Sequence, residues 1–235
     1  MRTMRIAALA AVAMVLVTSG PVRATTLVGT QVAGALYFVG YTPNYFDPTN
    51  SFVPAGYLNF AGNTVTISSN AVEFGYDDGT ATITADFTGT HLIVTDNPRD
   101  TGHHNPIQLL FTNSAFGSLA TVSDSFPSGG MTGSLSGSVI TLNWVGGNVT
   151  SGESLQVVCN VNTRAAPPLS IQLTSTNAVV ISWPGPSTDF HLQQNSDLNP
   201  TNWVNVTATQ TNANGQNQVI VSPPLGTQFY RLKFP

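Results

Sequence analysis

The stretch Ala81-Thr-Ile-Thr-Ala-Asp-Phe-Thr88 decides the fold class, because apolar and polar side chains alternate through it at every step. A period of two residues places the alanines, Ile83 and Phe87 on one face, and the threonines with Asp86 on the other. This pattern is typical of an antiparallel strand that has one face on a core and the other in water.

The same alternation recurs along the chain. Val65 and Ile67 alternate with polar neighbours, and so do Ile140, Leu142 and Trp144. The runs are separated by dipeptides that mark turns, namely Gly62-Asn63, Asp78-Gly79, Asn97-Pro98, Gly129-Gly130 and Gly146-Gly147. No convincing helical period follows residue 24. Many short strands at this spacing predict an all-β protein of β-sandwich or jelly-roll type.

The amino terminus has the composition of an export signal. Arg2 and Arg5 precede an uncharged apolar run at 6–17, which is followed by Gly20-Pro21 and by Val22-Arg23-Ala24. This order predicts a secretory signal peptide over 1–24, cleaved between Ala24 and Thr25. The apolar run is too short to span a bilayer comfortably. We therefore expect a secreted or cell-surface protein without a transmembrane anchor.

Charge excludes one class of partner. The chain has 235 residues, of which only 8% are charged. Three of its seven basic residues lie in the predicted signal peptide, which leaves four against eleven carboxylates. A basic patch for phosphate backbones is absent from this sequence, so nucleic acid is not an expected partner.

The single cysteine, Cys159, excludes an intrachain disulfide. Leu155, Val157 and Val161 would share its strand face, so we expect a buried thiol in the core. An exported chain without disulfides favours a bacterial source over an animal one.

A change of pattern marks a domain boundary at Asn162-Thr-Arg-Ala-Ala-Pro-Pro168. The two prolines hold this stretch extended, as in a short semi-rigid linker. The predicted division is a signal peptide at 1–24, a β-sandwich domain at 25–163, a linker at 164–168 and a smaller β-sandwich domain at 169–235.

The smaller domain carries a recognisable order of motifs over six predicted strands. These are Leu169-Ser-Ile171, Val180-Ile-Ser-Trp-Pro184, Phe190-His-Leu192, Asn202-Trp203 and Phe229-Tyr-Arg-Leu232, with a further strand at 218–221. The order resembles the fibronectin type III-like C-terminal module of exported planctomycete and verrucomicrobial proteins. The resemblance implies a sandwich without catalytic residues. A full fibronectin type III domain has one more strand after Leu232.

The larger domain resembles the β-rich domain of small PEP-CTERM secreted bacterial proteins. The motifs that carry the resemblance are Asn44-Tyr-Phe-Asp-Pro48, Phe52-Val-Pro54, Val72-Glu-Phe74, Ala85-Asp-Phe87, Leu92-Ile-Val-Thr-Asp96, Asp124-Ser-Phe126 and Leu142-Asn-Trp144. The resemblance implies association with biofilm or exopolysaccharide and no assigned activity. The Pro-Glu-Pro sorting tail of that family is absent, so exosortase anchoring is not expected.

Motifs of enzymes are missing from the sequence. It contains no Gly-x-Ser-x-Gly elbow, His-Glu-x-x-His helix or phosphate-binding loop. We therefore predict no catalytic residues and a non-enzymatic protein. The alternative is a secreted carbohydrate-active hydrolase, which would need two carboxylates in one cleft.

Four aspartates in turn sequences could offer oxygens to a structural Ca²⁺, namely Asp77, Asp78, Asp96 and Asp100. The alternative is that these residues only form turns, since Asp-Gly and Asp-Asn-Pro are turn signals. His103 and His104 are expected in a solvated loop. No other cofactor is predicted.

Aromatic residues supply the candidates for ligand binding. Tyr41, Tyr45 and Phe46 lie in a proline- and asparagine-rich excursion, and Trp203 lies beside a polar turn. Exposed aromatic rings next to amides are typical of sugar sites. The alternative is packing, which we expect for Trp183. The predicted function is extracellular binding or structure, in contact with polysaccharide or cell-surface components.

Overall fold

The computed structural model describes residues 26–185, 190–197, 202–222 and 226–233. Within these ranges the chain is all-β, and its only helices are 3₁₀ turns at Pro48–Asn50 and Leu58–Ala61. This confirms the predicted fold class. No helix in the described ranges has the length and hydropathy to cross a membrane. The predicted signal peptide and its cleavage point at Ala24 and Thr25 lie outside the described residues.

Between residue 26 and the predicted linker the chain forms twelve strands. They are β1 (Gln31–Phe38), β2 (Thr64–Thr66), β3 (Phe74–Asp77), β4 (Ala81–Thr88), β5 (His91–Pro98), β6 (Gly102–His104), β7 (Ile107–Thr112), β8 (Phe116–Asp124), β9 (Met131–Ser136), β10 (Val139–Trp144), β11 (Gly147–Val149) and β12 (Leu155–Thr163).

These strands form two five-stranded antiparallel sheets, in the orders β2-β1-β7-β10-β9 and β3-β4-β5-β12-β8, and a β11-β6 pair. One core is shared by the two larger sheets. Phe87 on β4 meets Phe111 on β7 edge-to-face, with ring centroids 5.2 Å apart. The apolar side chains of β4 are all buried and alternate with partly exposed polar ones, as its sequence predicts. Cys159 is buried on β12.

In the described residues after the predicted linker the structure has seven strands, namely β13 (Ser170–Leu173), β14 (Val179–Pro184), β15 (His191–Asn195), β16 (Val204–Asn205), β17 (Gln210–Ala213), β18 (Gln216–Val221) and β19 (Phe229–Lys233). They form a β13-β14-β18-β17 sheet and a β16-β15-β19 sheet. Trp183 is fully buried in their small core with Ile181, Leu192 and Val219. The division of the chain into independently folding domains stays a prediction.

The strand count in this region corrects the sequence analysis, which expected six. The additional strand is β17, which contains no alternating apolar side chains. It pairs with β18 through a hairpin in which Asn214 and Gly215 have φ of 54° and 74°. Asn-Gly is the preferred pair for a turn with two positive φ angles, so the signal was present in the sequence.

Candidate functional site

The aromatic excursion between β1 and β2 is held against the sandwich by two asparagines. Asn44 Oδ1 accepts hydrogen bonds from the backbone N–H groups of Leu36 and Phe46, both at 3.0 Å. Asn59 is fully buried, and its Nδ2 donates to the carbonyls of Phe46 and Gly75. The excursion is therefore anchored to β1 on one side and to β3 on the other.

This anchoring corrects the prediction for Phe46. Its side chain is fully buried and stacks on Phe74 with ring centroids 5.3 Å apart, so no surface remains for a ligand. Tyr45 is partly buried and packs edge-to-face against Phe38 at 5.0 Å. It also packs against Tyr76 at 5.6 Å. Phe46 and Tyr45 therefore contribute mainly to the packing of the sandwich.

Tyr41 is different, because its side chain is 59% exposed. It lies on the turn that follows β1, whose backbone is fixed by bonds from Val39 N–H to Pro106 O and from Tyr41 N–H to Phe38 O. Residues 37–42 and Gln108 line an open groove of about 400 Å³ at this turn. We call it the tyrosine groove.

Trp203 is already engaged within the protein. It is partly buried, and the Arg231 guanidinium lies 4.3 Å from the centre of its ring. Arg231 Nε in turn donates to Gln193 Oε1 at 2.9 Å. This cation–π contact covers one face of the indole.

A second cavity, of about 200 Å³, lies among side chains from β1, β3, β4, β5, β6, β7 and β10 and the loops beside them. It collects three of the four aspartates considered above, together with two histidines and an aromatic wall. Its lining includes Asp78, Asp96, Asp100, His103, His104, Phe38, Tyr76 and Trp144. We call it the acidic cavity.

Asp96 on β5 is the unusual member of the acidic cavity. Its side chain is 1% exposed, and its Oδ1 has no hydrogen-bond partner. Its Oδ2 lies 4.0 Å from His104 Nδ1. Burial raises the pKa of Asp96 to about 6, an effect that His104 opposes and that the neighbouring carboxylates reinforce.

His104 corrects the expectation of a solvated loop. It lies on β6, which pairs with β11, and its side chain is only 16% exposed. Its Nε2 lies 3.0 Å from Asp100 Oδ1. His103 remains exposed. The imidazole of His104 therefore lies between two carboxyl groups of the acidic cavity.

The turn aspartates have donors of their own. Asp77 forms a two-bond pair with Arg99, with nitrogen to oxygen distances of 2.7 and 2.6 Å, which lowers its pKa to about 2. Asp78 accepts from Tyr76 Oη at 2.7 Å and from the backbone N–H groups of Thr80 and Ala81. The contacts of Asp77 and Asp78 are therefore explained by the alternative in which these residues only form turns. Within the described residues, no group of three or more His, Cys, Asp or Glu side chains could hold a metal ion.

Sequence reasoning missed one buried carboxyl group, that of Glu73. It is fully buried, and its two oxygens accept from the backbone N–H groups of Ser68, at 2.8 Å, and Phe87, at 2.7 Å. Burial raises its pKa to about 7, although both hydrogen bonds act in the opposite direction. Because both oxygens are used within the protein, Glu73 is a structural residue.

Comparison of this chain with protein-family models, with curated proteins and with solved structures finds no match. The two family resemblances therefore stay predictions. Function is inferred from the tyrosine groove and the acidic cavity.

Proposed function

We propose that this chain is a secreted, non-enzymatic bacterial binding protein that contacts polysaccharide through the tyrosine groove. The observation that carries the proposal is the exposed ring of Tyr41 beside an open groove. A flat aromatic ring with a polar hydroxyl suits the apolar face and the hydroxyl groups of a sugar. Export is proposed from the leader sequence at 1–24.

The anchoring of the turn supports this role. The backbone at Val39 and Tyr41 is hydrogen-bonded, and the adjoining excursion is fastened by Asn44 and Asn59. A ligand therefore meets a turn that is already ordered, and binding does not have to offset a large loss of backbone entropy.

Substituting Tyr41 by alanine is expected to weaken retention of the 25–235 chain on its best glycan at least about tenfold, the magnitude of one lost stacking contact. Affinity electrophoresis on a panel of neutral and charged polysaccharides measures this. Phe60→Ala is the matched control, because Phe60 is also 59% exposed but does not line the groove. Equal loss in both variants, or no retention of the unmodified chain on any glycan, would refute the proposal.

A specific observation favours a second candidate, a glycan hydrolase. Asp96 has a pKa of about 6, in the range of a general acid, and Asp78 and Asp100 line the same cavity. If this candidate is correct, the 25–235 chain releases reducing ends from a polysaccharide, and Asp96→Asn abolishes that release while leaving the chain folded. Release that is unchanged in Asp96→Asn would exclude Asp96 as the acid.

A further inference from the structure

The acidic cavity contains a carboxylate oxygen that the protein leaves without a donor. Asp96 Oδ1 is buried and unpartnered, although Asp96 lines a cavity of about 200 Å³. Buried polar atoms in native proteins are nearly always hydrogen-bonded, and an exception asks for an explanation. A ligand that donates a hydrogen bond to this oxygen supplies one.

The charges around the acidic cavity indicate which kind of hydrogen-bond donor would bind Asp96 Oδ1. Asp78, Asp96 and Asp100 all line the acidic cavity, whereas no lysine or arginine does. Arg99, which lies close in sequence, is paired with Asp77 outside the lining. A positively charged donor is therefore favoured over a neutral hydroxyl, and an anionic ligand is disfavoured.

The walls favour an organic cation over a metal ion. Phe38, Tyr76 and Trp144 contribute aromatic rings, whose faces attract alkylammonium groups. Trp144 Nε1 already donates to Pro127 O at 2.9 Å, so the indole has no N–H left for an anion. Within the described residues the carboxylates and histidines do not converge as metal ligands. A primary ammonium group, in contrast, has three N–H donors, for which Asp96 Oδ1 and the other carboxylates of the lining are acceptors.

We propose that the acidic cavity binds the primary ammonium group of a small ligand, which donates a hydrogen bond to Asp96 Oδ1. This site is distinct from the tyrosine groove, with which it shares only Phe38. The amine could belong to an amino sugar or to an aliphatic amine. Both present the same primary ammonium group, and the test compares a probe of each kind in order to distinguish them.

Isothermal titration of the 25–235 chain near pH 7 tests the proposal with paired probes. Putrescine is compared with 1,4-butanediol, and glucosamine with glucose, so that each pair differs in amine against hydroxyl. We expect at least one amine to bind at least about tenfold more tightly than its hydroxyl partner. Binding of glucosamine alone identifies an amino sugar, and binding of putrescine alone identifies an aliphatic amine.

Two variants locate the site. Asp96→Asn is expected to weaken amine binding at least about tenfold while the ring resonances of His104, which shift with ligand in the unmodified chain, no longer respond. Asp47→Asn removes an equal charge at the cap of the 3₁₀ turn at 48–50 and should leave the affinity unchanged. Native-like ring resonances of His104 in the unliganded Asp96→Asn variant would show that the cavity is folded, which distinguishes lost binding from a folding defect.

Three outcomes would overturn the proposal. The first is equal affinity for amines and alcohols, or no binding of any of the four probes at millimolar concentration. The second is an equal loss of affinity in Asp96→Asn and Asp47→Asn, which would indicate long-range charge alone. The third is Ca²⁺ binding that Asp96→Asn removes, without amine binding, which would assign the cavity to a metal. None of these outcomes bears on glycan retention by Tyr41.

Discussion

The Glu73→Ala variant is expected to unfold with a free energy about 3–5 kcal/mol below that of the unmodified protein. The substitution leaves the backbone N–H groups of Ser68 and Phe87 without their acceptors in the interior. It also opens a cavity between the segment before β3 and the end of β4. Urea denaturation followed by circular dichroism measures the loss, and an unchanged m-value would show that the two states remain comparable.

The chain contains only one other glutamate, Glu153, and it provides the control. Glu153 also accepts a backbone hydrogen bond, from Thr150 N–H at 2.7 Å, but it does so at the surface. Glu153→Ala should cost about 1 kcal/mol or less, because water replaces the lost acceptor. Glu73→Gln, which keeps one acceptor oxygen, should fall between the two. An equal loss of unfolding free energy in Glu73→Ala and Glu153→Ala would show that burial of the glutamate does not determine its contribution to stability.

The Asp96→Asn variant is expected to be more stable than the unmodified protein by about 2–3 kcal/mol at pH 8 and about equally stable at pH 3. The pKa of Asp96 is about 6 in the fold and 3.8 ordinarily. The folded protein holds the proton of Asp96 more tightly than the unfolded chain does, so protonation of Asp96 stabilises the fold. This stabilisation is complete below pH 3.8 and is lost as the pH rises through 6. Asparagine has no charge to bury, so the difference between the two proteins grows over this interval.

Urea denaturation at one-unit steps from pH 2 to pH 8 measures that difference. The pKa of Glu73 is also raised, but Glu73 titrates in both the unmodified protein and the Asp96→Asn variant, so its contribution cancels in the difference. Asp77→Asn is the control with the opposite sign, because Arg99 lowers the pKa of Asp77 to about 2. That variant should be less stable at neutral pH, and its deficit should shrink as the pH falls from 4 towards 2. A difference for Asp96→Asn that is flat with pH would contradict the burial of an ionisable carboxyl group with one unpartnered oxygen.

Asp96→Asn is thus expected both to stabilise the fold and to weaken amine binding. A buried carboxyl group that costs stability but is needed for a ligand is a common compromise at binding sites. Higher stability together with weaker amine binding would assign Asp96 a role in binding and not in folding, because replacing a structural residue lowers the stability of the protein.

The sequence by itself determined the fold class and the faces of most strands. The alternation at 81–88 decided which side chains of β4 are buried, because a one-residue shift would expose every apolar group. The same local period placed Trp183 and Cys159 in the interior. These predictions succeeded because the period of a strand is a property of neighbouring residues.

Only the tertiary structure decided which polar and aromatic residues lie together. Phe46 and Tyr41 are both aromatic residues of one excursion, yet Phe46, whose backbone is bonded to Asn44 and Asn59, is buried while Tyr41 is exposed. Asp78 and Asp96 come to one cavity because β4 pairs with β5. Long-range strand pairing sets the surroundings of each carboxyl group, and the burial that raises the pKa of Asp96 exists only after the sheets have packed.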